Sequence, residues 1–172
     1  ISNENYLINS KADIIVNNNQ IKDLILSSQF STKEDLKLSI KTNSNNERIT
    51  DLFAGNAKPL VKKYDFIKGF EGGYLKFDSI EKNKVSNSNL KIFDFKLKEV
   101  PALTKLLTLA SLQGIADLLT GEGIRFNEFE MIFKNKDGLM TIEEIYSLGP
   151  SISILMDGYI QKDDLVSLRG TL

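Results

Sequence analysis

Residues 36–41 read Leu36-Lys37-Leu38-Ser39-Ile40-Lys41, three aliphatic side chains alternating with three polar ones. Side chains on a strand point to opposite faces in turn, so this spacing predicts a strand with one dry face and one wet face. The pattern repeats outward in both directions. Upstream, Tyr6 to Val16 places Ile8, Ser10, Ala12, Ile14 and Val16 on one side, and Ile21 to Phe30 aligns Leu24, Leu26, Ser28 and Phe30. Asn17-Asn18-Asn19 and Asn43 to Asn46 supply the turns, because asparagine bonds to its own backbone and tolerates left-handed φ. Three strands at roughly ten-residue spacing, joined by short polar turns, predict an antiparallel meander.

Downstream, residues 47 to 72 break the alternation. Asn56 and Pro59 are helix-start signals, and Leu60, Val61, Tyr64, Phe66 and Ile67 give a short helix over about 57–67 one mixed apolar face. Gly69, Gly72 and Gly73 end it and release the chain into a strand from Tyr74 to Ile80. After a polar turn around Asn83 to Asn89, Leu90 to Leu97 carries Phe93, Phe95 and Leu97 on one expected face. Ile124 to Lys134 does the same with Phe129, Met131 and Phe133. Lys136-Asp137-Gly138 is a hairpin signal, Leu139 to Leu148 returns, and Gly149-Pro150 leads into Ser151 to Ile160 with Ile152, Ile154, Met156 and Ile160 aligned. Lys162-Asp163-Asp164 turns the chain into a last strand pattern, Leu165 to Leu172.

Between these halves lies the stretch the sheet is expected to be organised around, residues 98 to 126. Pro101 suits the first turn of a helix and Gly121 the residue past its end. Leu103, Leu106, Leu107, Leu109, Leu112, Ile115, Leu118 and Leu119, at about 100° per residue, fall around most of the circumference, while only Lys105 and Asp117 carry charge. A helix this apolar needs cover on more than one side. It reads as a buried core helix or as a helix lodged in an apolar groove. Thr104, Lys105, Gln113 and Asp117 are among the polar residues that interrupt it too often for a membrane span.

The 172 residues suffice for one domain with a sizeable core, with 1–46 and 47–172 as sub-units. Lys plus Arg number 22 against 23 Asp plus Glu, a balance that gives no electrostatic reason to expect nucleic acid or an anionic membrane surface as partner. With neither cysteine nor histidine, thiol catalysis, thiolate zinc sites and the commonest general base are excluded. The first residue is Ile1 and the chain ends inside a strand pattern, so it is read as a piece of a longer protein whose targeting segments lie outside it. Glu143-Glu144 and Asp163-Asp164 are adjacent carboxylates, but neighbours on a strand face opposite ways. Gly121-Glu122-Gly123 lacks the rest of a phosphate-cradling pattern. No catalytic constellation, metal site or cofactor is expected, and the chain is read as a non-enzyme.

What remains is apolar side chains in register on about eight strands. If the sheet closes or folds over, they form a core. If it stays an open half-pipe, they line a trough wide enough for acyl chains. Composition does not choose between the two.

Val100-Pro101-Ala102-Leu103 leading into Leu106-Leu107 and Leu109-Ala110-Ser111, then Gly121-Glu122-Gly123-Ile124-Arg125-Phe126, Gly149-Pro150-Ser151, Asp157-Gly158-Tyr159-Ile160 and Leu168-Arg169-Gly170-Thr171-Leu172, resemble in order and spacing the C-terminal region of the AsmA-like family, its YhdP-like branch most closely. Ala57 through Tyr64-Asp65 to Gly72-Gly73-Tyr74-Leu75 is similar to a preceding part of that region, so the resemblance covers roughly residues 50–172. It implies a periplasmic protein of diderm bacteria, anchored in the inner membrane by a segment outside this chain, that carries phospholipid toward the outer membrane along a rolled β-groove and supports envelope integrity. On that reading the fold is mainly β with a twisted antiparallel meander curved around the helix over 101–120. Phe93, Phe95, Phe129, Met131, Phe133, Ile152, Ile154 and Met156 then face the groove, and Leu106, Leu107, Leu109, Leu112 and Ile115 press the helix into it. Phospholipid acyl chains are the expected partner, with other envelope proteins second. The alternative is a structural or assembly module whose sheet edges bind envelope proteins by strand addition. An adhesive β-domain is the third reading.

Overall fold

The computed structural model describes residues 6–61, 68–99, 123–150, 152–161 and 165–171. They form one open antiparallel sheet of ten strands in simple sequence order. The strands are β1 (Leu7–Asn17), β2 (Gln20–Phe30), β3 (Asp35–Thr42), β4 (Arg48–Ala54), β5 (Lys68–Lys82), β6 (Val85–Glu99), β7 (Ile124–Lys136), β8 (Leu139–Leu148), β9 (Ser153–Ile160) and β10 (Val166–Thr171). Between β4 and β5 sits α1 (Lys58–Val61). β1 and β10 are edges that do not pair with each other, so the sheet is not a barrel. The predicted helix over 101–120, with Leu106, Leu107, Leu109, Leu112 and Ile115, lies outside the described residues, as does the second half of the short helix.

The tight hairpins follow from local chemistry. Asn18-Asn19, Asn83-Lys84 and Asp137-Gly138 hold both central residues at positive φ, as two-residue turns between twisted strands require. The turn at Asn83 is therefore far shorter than expected. Val85 to Asn89 belong to β6, where serines and asparagines on both faces hide the strand from a hydropathy reading. β4 is a strand that the alternation does not reveal. Its Ile49 and Phe53 stand on one face while Leu52 and Ala54 stand on the other, so both sides are apolar and the period disappears. Gly69, Gly72 and Gly73 do not end a helix: they lie inside β5 with φ of 67°, 70° and 77°. At α1, Asn56 caps as expected, its Oδ1 accepting from the Lys58 amide at 3.1 Å. The Ala57 amide donates to the Gly73 carbonyl at 2.9 Å, tying the helix start to β5.

The core sits toward the α1 end of the strands. Phe30, Leu36, Ala54, Ala57, Val61, Phe70, Leu75, Ile92, Phe95, Ile124 and Phe126 are buried there in one cluster. Phe70, Phe95 and Phe126 stack across β5, β6 and β7 with centroids 5.2 and 5.1 Å apart.

Candidate functional site

Strand register, combined with burial, assigns each side chain to a face. One face, here called inner, carries the core. Across it, residues directly opposite one another form transverse rows. The first runs Ser28, Leu36, Ala54, Leu75, Ile92, Phe129, Ser147, Ile154 and is largely buried. The second crosses all ten strands as Ala12, Leu26, Leu38, Leu52, Phe77, Leu90, Met131, Ile145, Met156 and Gly170. Nothing in it is polar. At roughly 4.8 Å between strands it makes an apolar band on the order of 40 Å long, half-buried from Leu26 to Met156.

The third row changes character in its centre. Ile40, Thr50, Ser79, Ser88 and Phe133 are neighbours on β3 to β7. Ser79 and Ser88 share a hydroxyl hydrogen bond at 2.8 Å, which lets Ser88 be buried without an unmet polar group. The fourth row, toward the hairpin tips, is Thr42, Arg48, Glu81, Ser86 and Asn135. Over the central strands the inner face thus passes from apolar through hydroxyl to charged within about four rows.

The expected groove residues divide accordingly. Phe129, Met131, Phe133, Ile154 and Met156 share the inner face, and Ile152, just before β9, packs against the same core. Phe95 is inner but is a core residue, 5% exposed. Phe93 is not on that face. Asp94 at φ 54° stands opposite Gly73 at φ 77°, and this pair of left-handed residues reverses the alternation without any residue being inserted in either strand. Phe93 therefore stacks on Tyr74 on the outer face, 4.9 Å between centroids, beneath Lys76. At β1 a register shift next to Asn9 does insert a residue, and Leu7, rather than Ile8, lies against the core. Leu26, Leu38, Leu52, Phe77 and Ile145 are band residues that sequence reasoning did not name as groove candidates, although Leu26 and Leu38 were placed on dry faces. Each except Leu52 lies in a strand that was expected, but only cross-strand register places them in one line.

The outer face is polar with scattered apolar groups. Between β2 and β5 it carries a shallow depression of about 420 Å³ lined by residues that include Ile25, Ser27, Lys37, Asp51, Phe53 and Asp78. Asp51 and Asp78 stand directly opposite each other, and Asp78 faces Asn89 across the next gap. Asn89 Nδ2 donates to Glu130 Oε1 at 2.8 Å, and Lys91 Nζ lies 3.0 Å from the same oxygen. These two donors, Lys91 first, hold the Glu130 carboxyl below its ordinary range, and Glu130 in turn raises Lys91. Asp78 is exposed, yet the partial desolvation of its carboxyl, then the Asp51 charge, pushes it upward. Among the described residues no group of acidic side chains is arranged to hold a metal ion. No protein-family model, no curated protein and no solved structure matches the chain.

Proposed function

We propose that the inner face is a lipid-binding surface, and that the chain is a module of an AsmA-like protein carrying phospholipid between the inner and outer membranes. The observation that supports this reading is the second row: an uninterrupted apolar band across ten strands of a sheet whose edges stay apart. A barrel would turn such a band into its own core, whereas an open sheet leaves it needing a partner. Curved into a half-pipe, the sheet offers a trough in which hydrocarbon slides without local chemistry, each buried methylene contributing about 0.8 kcal/mol. The row sequence orients the lipid. Acyl chains lie on the second row, the ester region meets Thr50 and Ser79, and the head group reaches Arg48 and Glu81.

The test is native mass spectrometry with lipid extraction on the chain purified without detergent. Phospholipid is expected to co-purify; a clean apo mass with a cooperative melt would remove the reading. The double variant Met131→Gln, Met156→Gln keeps side-chain volume while making the band polar. It is expected to lower lipid occupancy about tenfold or more, as loss of two apolar contacts implies, with little change in melting. Equal occupancy would place the lipid elsewhere.

A second reading is favoured by β10. All six of its residues are exposed, including Val166 and Leu168 at 53% and 41%. Its Arg169 is engaged with Asp157 through Nε and Nη2 at 2.8–3.0 Å, leaving no free charge to guard the edge. In this reading an extended segment of another envelope protein adds to the sheet there. Leu168→Pro, at a position whose amide points away from β9, is expected to abolish partner capture while leaving lipid occupancy intact.

A further inference from the structure

The outer face holds a polar cluster that lipid binding does not use. Asp51 on β4 and Asp78 on β5 are a directly opposed like-charge pair, an arrangement that destabilises a sheet when both are ionised. The next partner in the row is Asn89 on β6, whose Oδ1 is buried and has no hydrogen-bond partner. A buried acceptor without a donor is a standing cost to the fold. The amide cannot be reversed to relieve it, because Nδ2 is committed to Glu130 on β7. Two defects, a surplus negative charge and a missing donor, therefore lie side by side, and a single proton removes both.

We infer that the Asp51–Asp78 pair takes up one proton, that Asp78 carries it, and that the resulting carboxylic acid donates to Asn89 Oδ1. The hydrogen-bonded row then runs without a break from β5 through Asn89 to Glu130 on β7, where Lys91 closes it. Facing the pair are Ser39 on β3, with Lys37 and Lys41 beside it; Asn89 and Lys91 on β6; and Glu130 on β7. Lys91 is the cation that opposes proton uptake, but it is held by Glu130. Partial desolvation and the two neighbouring carboxylates work the other way and raise Asp78. A carboxyl raised in the fold destabilises it at neutral and higher pH. That penalty disappears as pH falls through the raised value toward the ordinary carboxylate range. The pair is thus a latch across β4 to β7 that tightens as pH falls through the raised Asp78 value, while Glu47, Glu71, Glu130 and Asp157, all lowered by their partners, loosen only at stronger acid.

The test compares urea unfolding of the wild-type chain and Asp78→Asn over a pH series running from about 8 down through the ordinary carboxylate range. An asparagine amide at this position donates to Asn89 Oδ1 at every pH, so the variant is expected to be the more stable at the upper end of the series. Its advantage in folding constant should shrink several-fold at the lower end. Carboxyl carbon NMR titration follows Asp51, Asp78 and Glu130 individually, and Asn89→Leu, which removes the acceptor, is expected to bring Asp78 downward. An Asp78→Asn advantage that does not change with pH overturns the proposal. So does an Asp78 titration unaltered by Asn89→Leu, or a titration that resides on Asp51.

Discussion

Replacing Phe95 with alanine is expected to cost the fold about 3–5 kcal/mol, a large part of what a domain of this size has. The ring is 5% exposed and lies between Phe70 and Phe126, nearly parallel to both at 15° and 14°. Truncation removes the middle of a three-ring stack that joins β5, β6 and β7, and the two outer rings cannot close a gap of about 10 Å between them without moving their strands. Chemical denaturation gives the number. Phe93→Ala is the contrast, since its ring lies half-exposed on the outer face and its loss is expected to cost about 1 kcal/mol, the order of a cross-strand aromatic pair. If both variants lose the same stability, the reversal of the alternation at Asp94 is wrong.

The second large effect concerns the reversal itself. Gly73 has φ 77°, and a Cβ there would stand 2.8 Å from the Phe93 carbonyl oxygen and 2.9 Å from Phe95 Cβ. Gly73→Ala is therefore expected to combine left-handed strain of about 1–2 kcal/mol with overpacking of about 1–3 kcal/mol. At Gly72, with φ 70°, the nearest atom to an added Cβ is the Asp94 carbonyl oxygen at 3.4 Å, so Gly72→Ala should meet the strain alone. Urea midpoints of the two variants separate the contributions, and equal losses would mean that β5 and β6 do not approach as closely at Gly73 and Asp94. A third consequence follows for lipid: if the band is the binding surface, Gly73→Ala should shift the register of Phe95 and disturb occupancy as well as stability.

Most strands of this sheet were legible from alternation and turn chemistry. Residues 36–41 show it plainly, as do Phe129, Met131 and Phe133, because a strand with one dry face carries its period in the sequence. β4 was not legible because a central strand with Ile49 and Phe53 on one face and Leu52 and Ala54 on the other has no period to find. The first half of β6 was hidden for the opposite reason: Ser86, Asn87, Ser88 and Asn89 are polar on both faces, and burial of Ser88 is made tolerable by a hydroxyl partner on β5 that no local window contains. Of the groove candidates, those on β7 and around β9 share the inner face, Phe95 belongs to the core, and Phe93 faces away.

The residues alone carry the turns and the dry faces, because positive φ at Asn18-Asn19 or Asp137-Gly138 and the two-residue period are properties of a few adjacent positions. Which side chains line up across ten strands, where Asp94 and Gly73 turn the alternation over, and that Asp51, Asp78 and Asn89 stand in one row are matters of register. Register depends on hydrogen bonds between segments many residues apart, and a slip of a single residue sends every following side chain to the other face.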